Sequence, residues 1–336
     1  MNKRNVLLSG LLLLSLFLTA CSDESANTEG SDPDEALQIN TTVYPLKYFA
    51  ERIAGEHAEV SSILPAGSDP HSYEPTTKEM VKMAEADGFI YNGAGLESYA
   101  KSISDAIESE DVNIMEASAG IDLHQGVHNR SGQKSEDKDH AHDADHNHEQ
   151  ESQEEEHGHD HGDENPHIWL DPLRSVQLAE NIKSMLIELK PEQEDQFENN
   201  FASLKKDLEQ LDEQFHNQLK DKAKNELIVS HAAYGYWEEA YGLEQIAVSG
   251  LSPTNEPSQK EMEHIITTAE EKNVEYVLFE QNITPKVADV VRKEIGAEPL
   301  RLHNLSVLTE EDIEKGEDYI SLMNHNLNVL NKALSE

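Results

Sequence analysis

The chain has 336 residues, enough for about two domains at roughly 150 residues each. Its 26 basic residues stand against 67 acidic ones, a net charge of −41, which argues against nucleic acid because phosphate binding needs Lys and Arg to replace counterions. A field of that sign attracts cations and repels anionic surfaces. The single cysteine, Cys21, excludes an intramolecular disulfide and a cysteine-rich metal site.

Taken in chain order, Asn2-Lys3-Arg4-Asn5 is a short basic start, and Val6 to Ala20 is mostly apolar. The run is too short and wrongly flanked for a spanning helix and fits a secretory signal. It ends Leu18-Thr19-Ala20-Cys21, which resembles the bacterial lipobox, with Cys21 as the acylated residue. Two or three acyl chains suffice to hold a protein at a bilayer. Ser22 to Glu35 is polar and aperiodic, a tether.

From Leu37 short apolar runs alternate with helical stretches. Strands are expected at Leu37–Val43, Val60–Leu64, Gly88–Tyr91 and Val112–Met115. Helices are expected at Tyr48–Ile53, Thr76–Ala86 and Leu96–Ile107. Residues 124 to 164 interrupt this order with nine histidines: His124, His128, His140, His142, His146, His148, His157, His159 and His161. Between Lys134 and Glu164 there are 13 acids against two lysines. Such a segment cannot bury enough apolar surface to offset its ordering entropy, so a disordered, metal-attracting insertion is expected. His140, His142, His146, His148, His157, His159 and His161 are its candidate weak metal sites.

After it, Pro172 to Leu189 reads as a helix and Pro191 opens a long one to about Lys222. Phe197, Phe201, Leu204, Leu208, Leu211, Phe215 and Leu219 give that helix one apolar stripe, as a stiff connection between lobes would have. The second half repeats the alternation. Strands are expected at Leu227–Val229, Gln245–Val248, Val274–Phe279 and Pro299–Leu302. Helices are expected at Ala233–Tyr241, Ser258–Lys272, Pro285–Ile295 and Glu310–Leu334. The fold class is α/β, two similar lobes with parallel sheets joined by one long helix. The boundaries are a signal over 1–21, a tether over 22–35, a first lobe over 36–190 holding the insertion, the linking helix over 191–222 and a second lobe over 223–336.

Eight histidines lie outside the insertion. His71 sits in Gly67-Ser68-Asp69-Pro70-His71-Ser72-Tyr73-Glu74-Pro75, and His167 in Asn165-Pro166-His167-Ile168-Trp169-Leu170-Asp171-Pro172. His231 follows Leu227-Ile228-Val229-Ser230, and Glu280 follows Tyr276-Val277-Leu278-Phe279. Ligand groups of α/β sheets gather at the carboxyl ends of strands. Each half supplies two of these residues, so one ion in the cleft could be reached from both, although any one of them alone would more often be structural. His57, His216, His264, His303 and His325 read as surface or packing residues, and Trp169 and Trp237 as walls of the cleft.

These segments, with Ser230-His231-Ala232-Ala233-Tyr234-Gly235-Tyr236 and Phe279-Glu280, resemble the cluster A-I (cluster 9) substrate-binding lipoproteins of zinc and manganese ABC transporters over essentially the whole mature chain. The lipobox and the histidine-rich insertion are similar to the zinc branch. The resemblance implies a monomeric receptor held on the outer face of the membrane by its lipid, working with an ABC permease and its ATPase. It implies His71, His167, His231 and Glu280 as ligands of transported Zn²⁺ in the cleft. Manganese-binding relatives have a carboxylate where this chain has His231.

Three imidazoles and a carboxylate suit tetrahedral zinc, while manganese prefers more oxygen ligands. Manganese as cargo is the alternative within the family. An extracellular zinc enzyme, with Glu280 as general base, is the alternative from another class, but there is no His-Glu-x-x-His helix and no second acid or base with a clear place. Neutral imidazole binds metal, so capture is expected to weaken as pH falls below about 6.5.

Overall fold

The computed structural model describes residues 35–107, 110–125 and 164–335. The signal, Cys21, the tether up to residue 34 and insertion residues 126–163 lie outside the described residues, and so do all seven candidate weak metal sites.

The first sheet contains β1 (Leu37–Thr41), β2 (Ala58–Ser62), β3 (Gly88–Tyr91) and β4 (Asn113–Glu116), all parallel, in the order β2-β1-β3-β4. The second contains β5 (Glu226–His231), β6 (Glu244–Ser249), β7 (Tyr276–Phe279) and β8 (Glu298–Arg301), again parallel, in the order β6-β5-β7-β8. The two orders are equivalent, and in each the chain reverses direction of progress at the strand it enters first. Carboxyl ends of strands at such a reversal open a crevice. In the second sheet that crevice lies between β5, which ends in His231, and β7, which Glu280 follows.

Helices begin where a cap or a proline permits. α1 (Tyr44–Ala54) starts four residues earlier than the sequence suggests, because Pro45 sits in the first turn, where a missing N–H costs nothing. α2 (Thr77–Ala84) has the Thr76/Glu79 capping box, and α3 (Ala100–Ile107) leads to β4. α4 (Pro172–Leu189) is capped by Asp171, which accepts from the N–H groups of Leu173 at 2.8 Å and Arg174 at 3.1 Å and pairs with the Arg174 guanidinium at 2.6 Å. Asp171→Ala is expected to lower stability by about 1–2 kcal/mol, read as a lower urea midpoint.

A 3-10 turn at Pro191–Gln193 leads into α5 (Glu194–Leu219), whose 26 residues span roughly 39 Å. The expected stripe from Phe197 to Leu219 is its buried face, packed on α1 and α4. In the second half α6 (Gly235–Tyr241), α7 (Gln259–Glu271) and α8 (Lys286–Glu294) alternate with strands. The expected single terminal helix is instead two, α9 (Glu310–Lys315) and α10 (Tyr319–Ala333). Gly316 closes α9 at φ 68°, a left-handed conformation that suits glycine, and Asp318 caps a new start. The break buries Tyr319 against Tyr48 and Phe49 of α1, and α10 lies along α5.

One hydrophobic cluster therefore runs from Leu37 to Leu334 and includes Leu227, Val229 and Leu278 of the second sheet. A smaller cluster, with Ile228, Val277 and Ala288, lies on the sheet's α7/α8 side. Among the described residues no helix is long and apolar enough to cross a membrane.

Candidate metal centre

His231 is the last residue of β5 and is fully buried. His167 ends a short loop before a 3-10 turn, Ile168–Leu170, that leads to the capped start of α4. Asn92, just after β3, donates through Nδ2 to the Pro166 carbonyl at 2.9 Å and so ties that loop to the first sheet. His71 is on the turn after Pro70, where its N–H donates to Asp69 Oδ1 at 3.1 Å. Asn282 of the second half donates to the Ser68 carbonyl at 3.0 Å and steadies the same turn.

These three elements bring the Nε2 atoms of the histidines together. The His71–His167 separation is 3.3 Å and the His167–His231 separation 3.1 Å, and the three residues' ligand atoms all lie within 4.8 Å of one another. Ligand nitrogens about 2.0–2.1 Å from one tetrahedral ion are roughly 3.3 Å apart, so the spacing fits zinc. His167 and His231 are also held in the right tautomer. The Nδ1 of His167 donates to Asn165 Oδ1 at 2.8 Å, and the Nδ1 of His231 donates to Glu280 Oε1. In the neutral form of each ring this leaves the Nε2 lone pair for a metal.

Glu280 is placed one step back from where the sequence puts it. Its Oε1 accepts from His231 and from Ser230 Oγ at 2.7 Å, and its Oε2 accepts from Asn304 Nδ2 at 3.0 Å. It does not join the three histidines in the group that could hold an ion. Burial opposes its ionisation, but the His231 charge and the hydrogen bonds from His231 and Ser230 outweigh it and hold the carboxyl below its usual range. Glu280 is thus a buried carboxylate held against His231.

Burial, then the neighbouring His231 charge, pushes His71 down to about 3, with Glu280 opposing. Burial, then His231 and His71, holds His167 well below the ordinary imidazole range. This limits the weakening expected below pH 6.5, since His71 and His167 stay neutral far below it. Three ordinary imidazoles would lose about a thousandfold in affinity between pH 7.5 and 5.5, about tenfold each. With His71 and His167 neutral throughout, zinc affinity is expected to fall by far less than that. Chelator competition at the two pH values checks this, and a thousandfold drop would contradict it.

Other expectations resolve in different ways. Trp169 does stand beside the site, with its ring 5.4 Å from that of His167 and its Nε1 donating to the Asn304 carbonyl at 2.7 Å. Trp237 instead faces inward, against Phe215 of α5, with its indole N–H on the Leu170 carbonyl at 2.6 Å. His124 is an ordered residue at the root of the insertion, where its carbonyl accepts from Asn165 N–H and Gln125 bridges to Glu164. His303 is buried and meets Asp312 at 3.2 Å, a packing role. Asn304, which touches both the Trp169 and the Glu280 sides, belongs to no motif read from the sequence. Asn165 opens the Asn165-Pro166-His167 segment, and no local pattern announces its role.

Two parallel α/β lobes with three converging imidazoles define a two-lobed metal-binding α/β protein. The family described as "Zinc-uptake complex component A periplasmic" matches residues 39–333, and the chain belongs to that family. It is 33% identical over 336 residues to "Zinc-binding lipoprotein AdcA" of Streptococcus pneumoniae (strain ATCC BAA-255 / R6), covering 100% of this chain and 62% of that protein. The chain thus spans under two thirds of the length of that streptococcal relative. It is 32% identical over 329 residues to "High-affinity zinc uptake system protein ZnuA" of Bacillus subtilis (strain 168), covering 97% of each. Among solved structures, the Zn(II)-bound ZnuA-like domain of S. pneumoniae AdcA superposes with a TM-score of 0.70 at 30% identity, covering 90% of this chain and all of that one. The laminin-binding protein Lmb of Streptococcus agalactiae, described as bifunctional with adhesin and metal transporting activity, gives a TM-score of 0.72 at 25% identity, covering 89% of this chain and all of that one.

Proposed function

We propose that this chain is an extracytoplasmic receptor that captures one Zn²⁺ through His71, His167 and His231, with Glu280 as the negative group beside them, and delivers it to an ABC permease driven by its ATPase. The observation that carries this reading is the Nε2 spacing of 3.3 and 3.1 Å between histidines from both halves of the chain. Nitrogen donors favour zinc over manganese, which seeks oxygen ligands and higher coordination. The relatives named for zinc binding and zinc uptake support the same cargo. Cys21 would carry the lipid that keeps the receptor at the outer face of the membrane. The protein is a binder and not an enzyme in this reading, because the ion is cargo.

Release follows a local rearrangement in this proposal. A core continuous from Leu37 to Leu334 resists a wide hinge, which would expose it to water. The turn carrying His71 is the least enclosed part of the site, since His71 is only partly buried while His167 and His231 are fully so.

The test is elemental analysis of the purified protein with zinc and manganese offered together. One tightly held zinc per chain, not displaced by excess manganese, is expected. Retention of manganese in preference to zinc would overturn the cargo assignment.

A further inference from the structure

His167 belongs to the first half of the chain, but the hydrogen bonds that aim it end in the second. Asn165 is buried, and its Oδ1 accepts from both His167 Nδ1 at 2.8 Å and His167 N–H at 3.0 Å. Its backbone is gripped on two sides. The Asn165 N–H donates to the His124 carbonyl at 2.9 Å, and the Asn165 carbonyl accepts from the Tyr236 hydroxyl at 2.6 Å. That hydroxyl in turn accepts from the His124 N–H at 3.3 Å.

Tyr236 stands on α6, the helix that follows β5, five positions after His231. Its ring is fully buried beneath the Arg174 guanidinium, 4.9 Å from the ring centre. The helix start comes this close because residue 235 is glycine. A Cβ there would lie 2.7 Å from His124 Cδ2 and 2.9 Å from Asn165 Nδ2, closer than real Cβ contacts allow.

We infer that Tyr236 is a positioning residue for the metal: its hydroxyl fixes Asn165 and, through it, the tautomer and aim of His167. The short segment from His231 to Tyr236 then supplies one ligand and aims another. A shift of that segment loosens His167 and His231 together, so zinc is gained and lost in a concerted step. This rests on the zinc-binding reading.

The experiment uses the whole mature chain, zinc with a chromophoric competitor, and cobalt as a spectroscopic probe of ligand geometry. Tyr236→Phe keeps the ring under Arg174 and removes one oxygen. It is expected to weaken zinc about 10–100-fold, the range of outer-shell changes, to speed zinc loss and to alter the cobalt visible bands. Gly235→Ala, which keeps the hydroxyl but pushes Asn165 away, should act in the same direction. Asn165→Ala should weaken zinc as well, and adding Tyr236→Phe to it should change affinity by less than about twofold, because the two act in series. Wild-type affinity, off-rate and cobalt spectrum in Tyr236→Phe would overturn the inference, and so would full additivity with Asn165→Ala. If Asn165→Ala does not fold, Tyr236→Phe and Gly235→Ala decide alone. A wild-type chain that binds no zinc would instead sink the receptor reading itself, which separates the two failures.

Discussion

Replacing His231 with alanine is expected to weaken zinc binding by more than about a hundredfold, beyond the 10–100-fold range of outer-shell changes. Two losses coincide there. The ion loses one of the three nitrogens that converge on it, and Glu280 loses the partner that lies against its Oε1. Glu280 is 1% exposed, so its charge would be left with Ser230 and Asn304 as its remaining donors. Leaving a buried carboxylate short of a hydrogen-bond donor is destabilising, and the empty site should deform as well. His264→Ala, on the exposed face of α7, should leave affinity unchanged and serves as the control. Calorimetry or chelator competition decides the matter, and tight binding retained by the His231 variant would rule out this assignment.

Trp169→Ala is expected to cost about 3–5 kcal/mol of folding stability, the usual range for removing a large buried aromatic ring. Trp169 is completely buried beside His167. Its carbonyl accepts from the Tyr319 hydroxyl at 2.7 Å and from Ser175 Oγ at 3.1 Å, while its indole N–H serves the Asn304 carbonyl. It therefore links α10, α4 and the loop after β8, whose Asn304 donates to the Glu280 carboxylate. Trp169→Phe should cost less, about 1–3 kcal/mol, mainly because the Asn304 carbonyl loses its donor in a buried place. Urea unfolding of the zinc-free protein measures both. An alanine variant as stable as the parent would mean that this residue is not part of the core that supports the site.

Much of the site is legible without the fold, for a physical reason. Metal donors are few residue types, and His71, His167 and His231 stand next to prolines or at the end of an apolar run, where a strand stops and a side chain can face a crevice. Both sheets and the stripe of α5 are legible because alternation and 3- or 4-residue spacing are local properties. The rest depends on contacts between distant residues. Glu280 follows its strand as expected, but only the positions of Ser230 and Asn304 decide which way its carboxylate turns. Asn304 follows no local pattern, and its φ-positive neighbour Leu305, at 60°, is a backbone feature that a leucine does not announce. The break between α9 and α10 is signalled by Gly316 and Asp318, yet the apolar spacing on either side masks it. The packing of Tyr319 on Tyr48 joins residues far apart in the chain, which no local pattern encodes.

Zinc K-edge X-ray absorption on the purified protein loaded with one equivalent of zinc tests the coordination most directly. Three imidazole nitrogens at about 2.0–2.1 Å are expected in the first shell. A shell with fewer than three imidazoles, or one of six oxygen-rich ligands, would contradict the convergence of His71, His167 and His231 on one ion.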